Sequence, residues 1–265
     1  MSRLQTETGS AAWLTRFFAR CRQRLTQRAL PAASLYWGEA GLWSFEPAQT
    51  AGQGWPDFDS WCAAHPRRSV RLWVGSAWLH HVAVPADMPL ADAAALQAYV
   101  RLQFVHYFGP AAQTWPLALW QQGDQRSGLA LQEQAGLNLA QVHSAAGRHG
   151  VRVLSLRPAW SQALAVAAAL DPVWARAGST ALGLLEGRCL TWLSLQAGQL
   201  AGVEQRYLDL GDTAELQALL PGLQAHGEIT GAARMIGWGW PDQAPAAPLA
   251  CGPASAVWLA GEVRG

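Results

Sequence analysis

Residues 74–119 read VGSAWLHHVAVPADMPLADAAALQAYVRLQFVHYFGPAAQTWPLAL, and this stretch decides the predicted fold. It predicts a strand, a break at a proline, one long helix over 90–108, a Gly-Pro stop and a second strand. The apolar side chains of the helix point nearly all the way round its axis: Leu96, Tyr99, Val100, Leu102, Phe104, Val105, Tyr107 and Phe108. Because a helix that is apolar on several sides is covered on several sides, we expect it to lie between layers or against a partner.

The composition is that of a compact protein with a sizeable core. Its 265 residues, 51% hydrophobic and 14% charged, suffice for one large domain or two lobes. The net charge is only +1 and all 19 basic residues are arginine, so no overall field favours nucleic acid. The four cysteines form no Cys-x-x-Cys pair. No secretory signal or membrane-spanning run is visible, so we expect a cytoplasmic protein.

The N-terminal residues 11–30 predict a basic amphipathic helix. Residues 1–30 contain six Arg and one Glu, a local net charge of +5. Two interpretations remain open: the helix lies on an anionic membrane surface, or it packs its apolar face on the body of the protein. The candidates for membrane contact are aromatic and basic side chains: Trp13, Arg16, Phe17, Phe18 and Arg20.

A pattern of hairpin strands followed by a helix occurs twice, at 33–65 and again at 181–224. Two such halves in one chain predict a bilobal α/β protein. The expected organisation is an N-terminal helix, a first lobe that contains a small inserted α+β subdomain, and a reduced second lobe, at residues 1–30, 31–172 (insertion about 86–150) and 173–265. Strands at 115–121 and 128–134 are expected to form the sheet of the insertion. The sequence also predicts a loop at 47–57, a strand at 69–74, a linker at 172–180 and a closing helix at 254–263. Asp209, Asp212 and Glu215 mark the start of a helix over 213–224, where carboxylates suit the helix dipole.

The sequence contains no recognisable catalytic motif. A chain without lysine cannot form a P-loop, and no HExxH, GxSxG or Cys/His pair occurs at a useful spacing. His80 and His81 are neighbours on a predicted strand, so they face opposite sides and cannot bind one metal together. The residues therefore predict neither a metal site nor an enzyme.

Five sequence motifs follow one another along the chain. They are VAVP at 82–85, AYVRLQFVHYF at 98–108 followed by Gly-Pro, HGVRVLSLRPAWSQALAVAA at 149–168, ALGLLEGRCLTWLSLQAGQL at 181–200 and CGPASAVWLAGEVRG at 251–265. Together they resemble the PilM family of type IV pilus platforms, with its MshI-type relatives and the cytoplasmic part of GspL from type II secretion. The resemblance implies a bilobal actin-like (RNase H-like) fold. Gln103 stands where the family has Glu, and Gly109 where it has Pro.

The same resemblance indicates the positions at which an actin-like protein would bind a nucleotide. An actin-like ATPase holds Mg-ATP with an acidic residue and glycines in its two hairpins. Here the corresponding positions are Trp37 and Gly38 in the first hairpin, and Gly183 and Leu185 in the second, without the acids. The bulky Trp37 is expected to obstruct the first hairpin. We expect a pseudo-ATPase with no cofactor. The alternatives are an ATP-binding enzyme of the actin and sugar-kinase class, or a Trp-rich carbohydrate-binding module.

The resemblance also implies a role and a partner. It predicts a cytoplasmic scaffold, peripheral to the inner membrane, that holds the cytoplasmic N-terminal tail of a bitopic, PilN-like platform protein. A homo-oligomer is left open, and nucleic acid is not expected as a partner. The long helix would form part of the groove for the tail, and the candidates for contact are Tyr99, Arg101, Gln103 and Tyr107.

Overall fold

The computed structural model describes residues 32–45, 52–122, 125–133, 137–237 and 252–253. The predicted N-terminal helix, with its five membrane-contact candidates, lies outside these residues, as does a closing helix predicted over 254–263. In chain order the first half contains β1 (Ala33–Gly38), β2 (Gly41–Ser44), β3 (Gln53–Trp55), α1 (Phe58–Ala64), β4 (Ser69–Val74), β5 (Leu79–Val84), α2 (Ala93–Phe108), β6 (Leu117–Gln122), β7 (Gln125–Leu131), α3 (Leu139–His149), β8 (Arg152–Pro158) and α4 (Ala159–Leu170). The second half contains α5 (Pro172–Arg176), β9 (Ser179–Glu186), β10 (Cys189–Gln196), β11 (Gln199–Tyr207), α6 (Thr213–His226), β12 (Ala233–Gly237) and β13 (Gly252–Pro253).

The two five-stranded sheets share one topology, with the orders β3-β2-β1-β4-β8 and β11-β10-β9-β12-β13. In each sheet the first three strands in chain order form an antiparallel meander, β1–β3 in one sheet and β9–β11 in the other. The next strand in the chain pairs in parallel with the first strand of its meander, β4 with β1 and β12 with β9. They differ at the fifth strand, because β8 is parallel to β4 whereas the short β13 is antiparallel to β12. This repeated order is that of two RNase H-like lobes, so the predicted bilobal, actin-like fold is confirmed.

Helix α4 lies between the two sheets. Its buried face carries Ala159, Ala163 and Ala167, which are fully buried at a spacing of four residues. Small side chains at this spacing let a helix approach its neighbours closely. The same core cluster contains Trp73 of β4 and Leu184 of β9, so α4 joins the hydrophobic cores of both lobes.

The inserted subdomain is a three-stranded sheet, ordered β5-β7-β6, with α2 packed on one face. Leu96, Val100 and Phe104 form a single buried stripe on α2. The sheet takes in β5, which precedes the expected range 86–150. Helix α3, which falls inside that range, packs in the first-lobe core with α1 instead.

The sheet covers only one side of α2. Leu102 is 63% exposed and Tyr107 is 66% exposed, because the sheet meets the stripe of three side chains and not the rest of the helix. The expectation of cover on several sides is therefore wrong for contacts made within the described residues.

A side-chain amide ties the inserted subdomain to the second lobe. Gln205 of β11 donates from Nε2 to the carbonyl oxygen of Leu79 at 3.0 Å, and its Oε1 accepts the backbone N–H of His81 at 3.1 Å. Both partners lie on β5. The amide thus makes the pair of hydrogen bonds that a neighbouring strand would make.

Two short elements occur where the sequence predicts irregular chain. Strand β3 lies in the predicted loop 47–57, where Trp55 donates from Nε1 to the hydroxyl of Ser44 at 2.8 Å. Helix α5 lies in the predicted linker 172–180, where Asp171 caps it by accepting the N–H of Trp174. No helix among the described residues is long and apolar enough to cross a membrane.

Candidate functional site

The two hairpins that would hold a nucleotide face each other where the lobes meet. Alternation along β1 sends Tyr36 toward α4 and the second lobe, and Trp37 toward α1. Trp37 stacks on Phe58 of α1, with ring centroids 6.2 Å apart. The prediction that the bulky Trp37 obstructs the first hairpin is therefore corrected: its neighbour Tyr36 occupies the space between the lobes.

The ring of Tyr36 lies over Gly38. A Cβ atom added to Gly38 would be 2.5 Å from both Cε1 and the hydroxyl oxygen of Tyr36. A glycine in such a hairpin is useful to a nucleotide site because phosphate can approach the bare backbone. Here that approach is filled by an aromatic side chain of the same strand.

A buried polar cluster lies beside Tyr36. Ser76, which follows β4, donates its backbone N–H to Oε2 of Glu186 at 3.1 Å and its hydroxyl to the same oxygen at 2.7 Å. The hydroxyls of Ser76 and Thr191 are 2.5 Å apart. The Tyr36 hydroxyl also hydrogen-bonds the carboxyl group of Glu186. Ser76 and Tyr36 belong to the first lobe and the other two residues to the second, so the cluster bridges the lobes.

Burial controls the electrostatics of this cluster. Desolvation raises the pKa of Glu186 to about 7, although the donors on Ser76 and Tyr36 pull in the opposite direction. Desolvation, followed by the charge of Glu186, raises the pKa of Tyr36 well above its usual value. The same two causes, followed by the charge of Glu39, raise the pKa of the Cys189 thiol to about 12. The cleft therefore contains an acid whose neutral form is favoured by burial.

The two second-hairpin positions taken from the resemblance lie away from the cleft. Gly183 faces Met235 and Trp192 so closely that a Cβ atom would overlap Met235. Leu185 is fully buried in the core under α6. Because alternate residues of β9 face opposite sides, Leu184 and Glu186 reach the interface of the lobes instead.

Sequence reasoning missed the residues that meet in the cleft, namely Tyr36, Ser76, Glu186 and Thr191. One signal was present in the sequence. Glu186 is a single charge at the end of the apolar run ALGLLE, and it directly precedes the turn glycine Gly187. A carboxylate at the end of a fully buried strand points to a buried polar contact, although the pattern does not say with what.

The four partner-contact candidates on α2 have different surroundings. Arg101 donates to the carbonyl oxygens of Ala112 and Trp115 at 2.8 and 2.7 Å, so it holds the 3-10 turn Pro110–Thr114 against the helix. Tyr99 is half-buried against the core between α2 and its sheet. Gln103 is also half-buried, and Tyr107 presents its ring to solvent.

Aromatic contacts hold the exposed C-terminal end of α2 against its sheet. Phe108 stacks on His80 of β5, with ring centroids 4.2 Å apart, and lies 5.5 Å from Trp115. Burial lowers the pKa of His80, whose Nε2 is 2.8 Å from Oε1 of Gln132. Leu102 and Tyr107 thus project from a helix end that aromatic stacking holds in place.

An open cavity of about 410 Å³ lies between α1 and α3. Trp37 and Phe58 line its apolar side, and its polar side carries Asp59 paired with Arg148 at 2.7 Å. The hydrogen bond from Arg148 lowers the pKa of Asp59. Among the described residues, no three His, Cys, Asp or Glu side chains come together as a metal site.

Comparisons with known proteins give structural neighbours at low sequence identity. No family model matches the sequence, and no curated protein matches it. Similar solved structures include the cytoplasmic domain of EpsL, an inner membrane component of the type II secretion system of Vibrio cholerae. It is 12% identical, over 73% of this chain and 74% of that chain, with a TM-score of 0.43.

Two further solved structures are similar to this chain. A PilM–PilN type IV pilus biogenesis complex is 18% identical, over 76% of this chain and 69% of that chain, with a TM-score of 0.44. A Bacteroides thetaiotaomicron protein with an actin-like ATPase fold and unknown function is 10% identical, over 80% of each chain, with a TM-score of 0.45. The names EpsL and PilM belong to the secretion and pilus platforms that the sequence motifs resemble.

Proposed function

We propose that this protein is a nucleotide-independent, actin-like scaffold of a type IV pilus or type II secretion platform. It works at the cytoplasmic face of the inner membrane and holds the cytoplasmic N-terminal tail of a bitopic partner. The observation that carries the nucleotide-independent role is the packing of Tyr36 over Gly38 in the first hairpin. The motifs at 82–85 and 98–108 support the assignment to these platforms.

Within the described residues, Tyr36 occupies the space beside Gly38, and the donors beside it are already in use. The N–H and hydroxyl of Ser76 and the hydroxyl of Tyr36 already bind the carboxyl group of Glu186. A polyphosphate would have to displace this carboxyl group, and when ionised the group would also repel it. Binding of Mg-ATP would therefore require rearrangement of both lobes.

The proposed tail-binding surface is the exposed end of α2, defined by Tyr107 and Phe108. Short peptide tails are commonly held by a few apolar anchors together with backbone hydrogen bonds. Large apolar side chains on the last turn of one helix supply such anchors. Arg101 supports this surface indirectly because it holds the turn that follows the helix.

Calorimetry with Mg-ATP tests the nucleotide-independent role. We expect no binding heat when the purified protein is titrated with Mg-ATP, because Tyr36 and Glu186 fill the cleft. A parallel titration of an actin-like ATPase serves as the positive control. A dissociation constant in the micromolar range, about −8 kcal/mol of binding free energy, would contradict the proposal.

Photo-crosslinking in cells tests the partner. A photo-reactive amino acid in place of Tyr107 should crosslink to the N-terminal segment of a bitopic inner-membrane protein, identified by mass spectrometry. The matched control is the same substitution at Tyr207, an aromatic residue of similar exposure (59%) on β11. Equal crosslinking from the two positions, or crosslinking only to soluble proteins, would be evidence against the tail-binding surface.

The carbohydrate-binding alternative lacks its main requirement within the residues that the structure describes. Sugar stacking needs exposed tryptophan rings, but every tryptophan in the described part of the chain is buried or half-buried. The buried ones fill the cores: Trp37, Trp61, Trp73, Trp115, Trp160, Trp174 and Trp192. Tryptophan serves here as a core residue, which favours the scaffold.

A further inference from the structure

The contact between the lobes contains one ionisable group on which several hydrogen bonds converge. Glu186 ends β9 in the second lobe, and its Oε2 accepts two hydrogen bonds from Ser76 in the first. Gly75 allows this close approach, because a Cβ atom there would lie 3.0 Å from both Oε1 of Glu186 and the hydroxyl of Tyr36. Among the described residues, the buried cluster beside Tyr36 thus depends on the carboxyl group of Glu186.

The polar and titratable groups around Glu186 come from several elements. They are Tyr36 on β1, Glu39 in the β1–β2 turn, Ser76 after β4, and Cys189 and Thr191 on β10. None of them is a cation. A carboxylate buried without a cation is costly, and its burial raises the pKa to about 7. The closed interface therefore accommodates the neutral acid better than the carboxylate.

We propose that Glu186 is a proton-controlled latch between the two lobes. The neutral carboxylic acid holds the β9–β10 hairpin against Tyr36 and Ser76. Loss of one proton to solvent leaves a carboxylate that needs hydration, and the lobes separate locally to admit water. This latch does not depend on the proposed nucleotide-independent role, because it involves only groups of the chain and a solvent proton.

The pH window follows from the two states of Glu186. In the open state the carboxyl group is hydrated and has its ordinary pKa of 4.5, whereas in the closed state its pKa is about 7. Since the closed-state pKa is raised, the closed state is most stable below pH 4.5 and loses stability as pH rises through 7. Opening should increase about tenfold per pH unit across this window and level off above it.

Hydrogen exchange measured by mass spectrometry tests the latch. Wild-type protein is labelled at pH 5.0 and 7.5, with labelling times scaled for the intrinsic exchange rate. Protection in peptides that cover 33–38 and 186–191 should fall about fiftyfold at the higher pH. Peptides from α6 should keep their protection, which separates local opening from global unfolding.

Two variants test whether Glu186 is responsible for the pH dependence of protection. Glu186→Gln keeps an oxygen that can accept from Ser76 and stays neutral, so protection should no longer depend on pH. Tyr36→Phe removes a donor to the carboxylate, so opening should level off at a higher pH than in wild type. If the Gln variant does not fold, the shift in Tyr36→Phe decides. Wild type without pH dependence, the same dependence in Glu186→Gln, or no shift in Tyr36→Phe would overturn the proposal.

Discussion

Gly128 and Gly147 show that the effect of a Gly→Ala substitution on stability depends on the surroundings of the glycine. Gly128 on β7 lies so close to Val100 of α2 that a Cβ atom would overlap it, whereas open space surrounds Gly147 on α3. We expect Gly128→Ala to lower the free energy of unfolding by about 1–3 kcal/mol through overpacking. Gly147→Ala should raise it by about 0.5–1 kcal/mol through helix propensity. Urea unfolding of both variants measures the difference.

A double variant checks the cause of the first effect. Val100→Ala removes the methyl groups that a side chain at position 128 would meet. In the Val100→Ala background, Gly128→Ala should therefore cost less than it does alone. Additive costs would mean that strain in β7, and not the contact with Val100, is responsible.

Individual site residues were predictable only where local sequence decides their surroundings. Asp212 caps α6 by accepting the N–H of Glu215, as the acidic cluster at that helix start predicts. The contact between Ser76 and Glu186 joins residues 110 positions apart, so no local pattern could show it. The side on which Trp37 lies depends on which face of β1 meets the second lobe, and this too is a tertiary fact.

At the scale of elements, Arg101 decides whether α2 and the turn after it act as one unit. Its guanidinium supplies both hydrogen bonds to the carbonyl oxygens of Ala112 and Trp115. Arg101→Met keeps an unbranched side chain but removes the guanidinium donor from both acceptors, of which the Ala112 oxygen still accepts the N–H of Trp115 at 3.4 Å. We expect a loss of about 1–3 kcal/mol in the free energy of unfolding, measured by urea denaturation.

The exposed neighbour Tyr107 is the control for this prediction. Tyr107→Ala removes a ring that is 66% exposed, so it should change stability by less than about 0.5 kcal/mol. A cost as large as that of Arg101→Met would show that the ring belongs to the packed part of the subdomain. A negligible cost for Arg101→Met would show that water replaces the guanidinium.

Elements with strong periodicity or clear stops were predictable from the sequence. The strand at 69–74 has the predicted bounds, and the helix predicted at 90–108 is α2, which begins at Ala93, where Asp92 caps it. Strand β3 could not be foreseen in the same way, because its three residues form a strand only by pairing with β2. The cover on α2 was overestimated because apolar periodicity shows which side chains can be buried, and not what is available to bury them.

At the scale of the whole molecule, His81 makes the contact between the inserted subdomain and the second lobe sensitive to acid. Burial lowers its pKa to about 4. Because the folded pKa is depressed below the ordinary value of 6.5, stability is present above pH 6.5 and is lost as pH falls toward 4. We expect a loss of about 2 kcal/mol at pH 5 relative to pH 7.5 from this group.

Urea unfolding of wild type and His81→Gln at pH 5.0 and 7.5 isolates this contribution. Glu186 acts in the opposite direction over the same range, so the quantity to compare is the pH effect in wild type minus that in the variant. His106→Gln, at an exposed position of α2, is the matched control and should leave the pH effect unchanged. An unchanged pH effect in His81→Gln would contradict the prediction.

The Gln205 amide has a mechanical consequence. A continuous sheet resists shear because many backbone hydrogen bonds must break together, but here β11 and β5 are joined through the side chains of Gln205 and of His81, whose ring hydrogen-bonds the backbone of Val203. A pulling force on the inserted subdomain would therefore concentrate at this joint, while the sheets on either side remain intact. The joint can also re-form after the force ends, since neither strand has to change its register. Two stiff sheets are thus joined by a contact that can break and form again without unfolding either sheet.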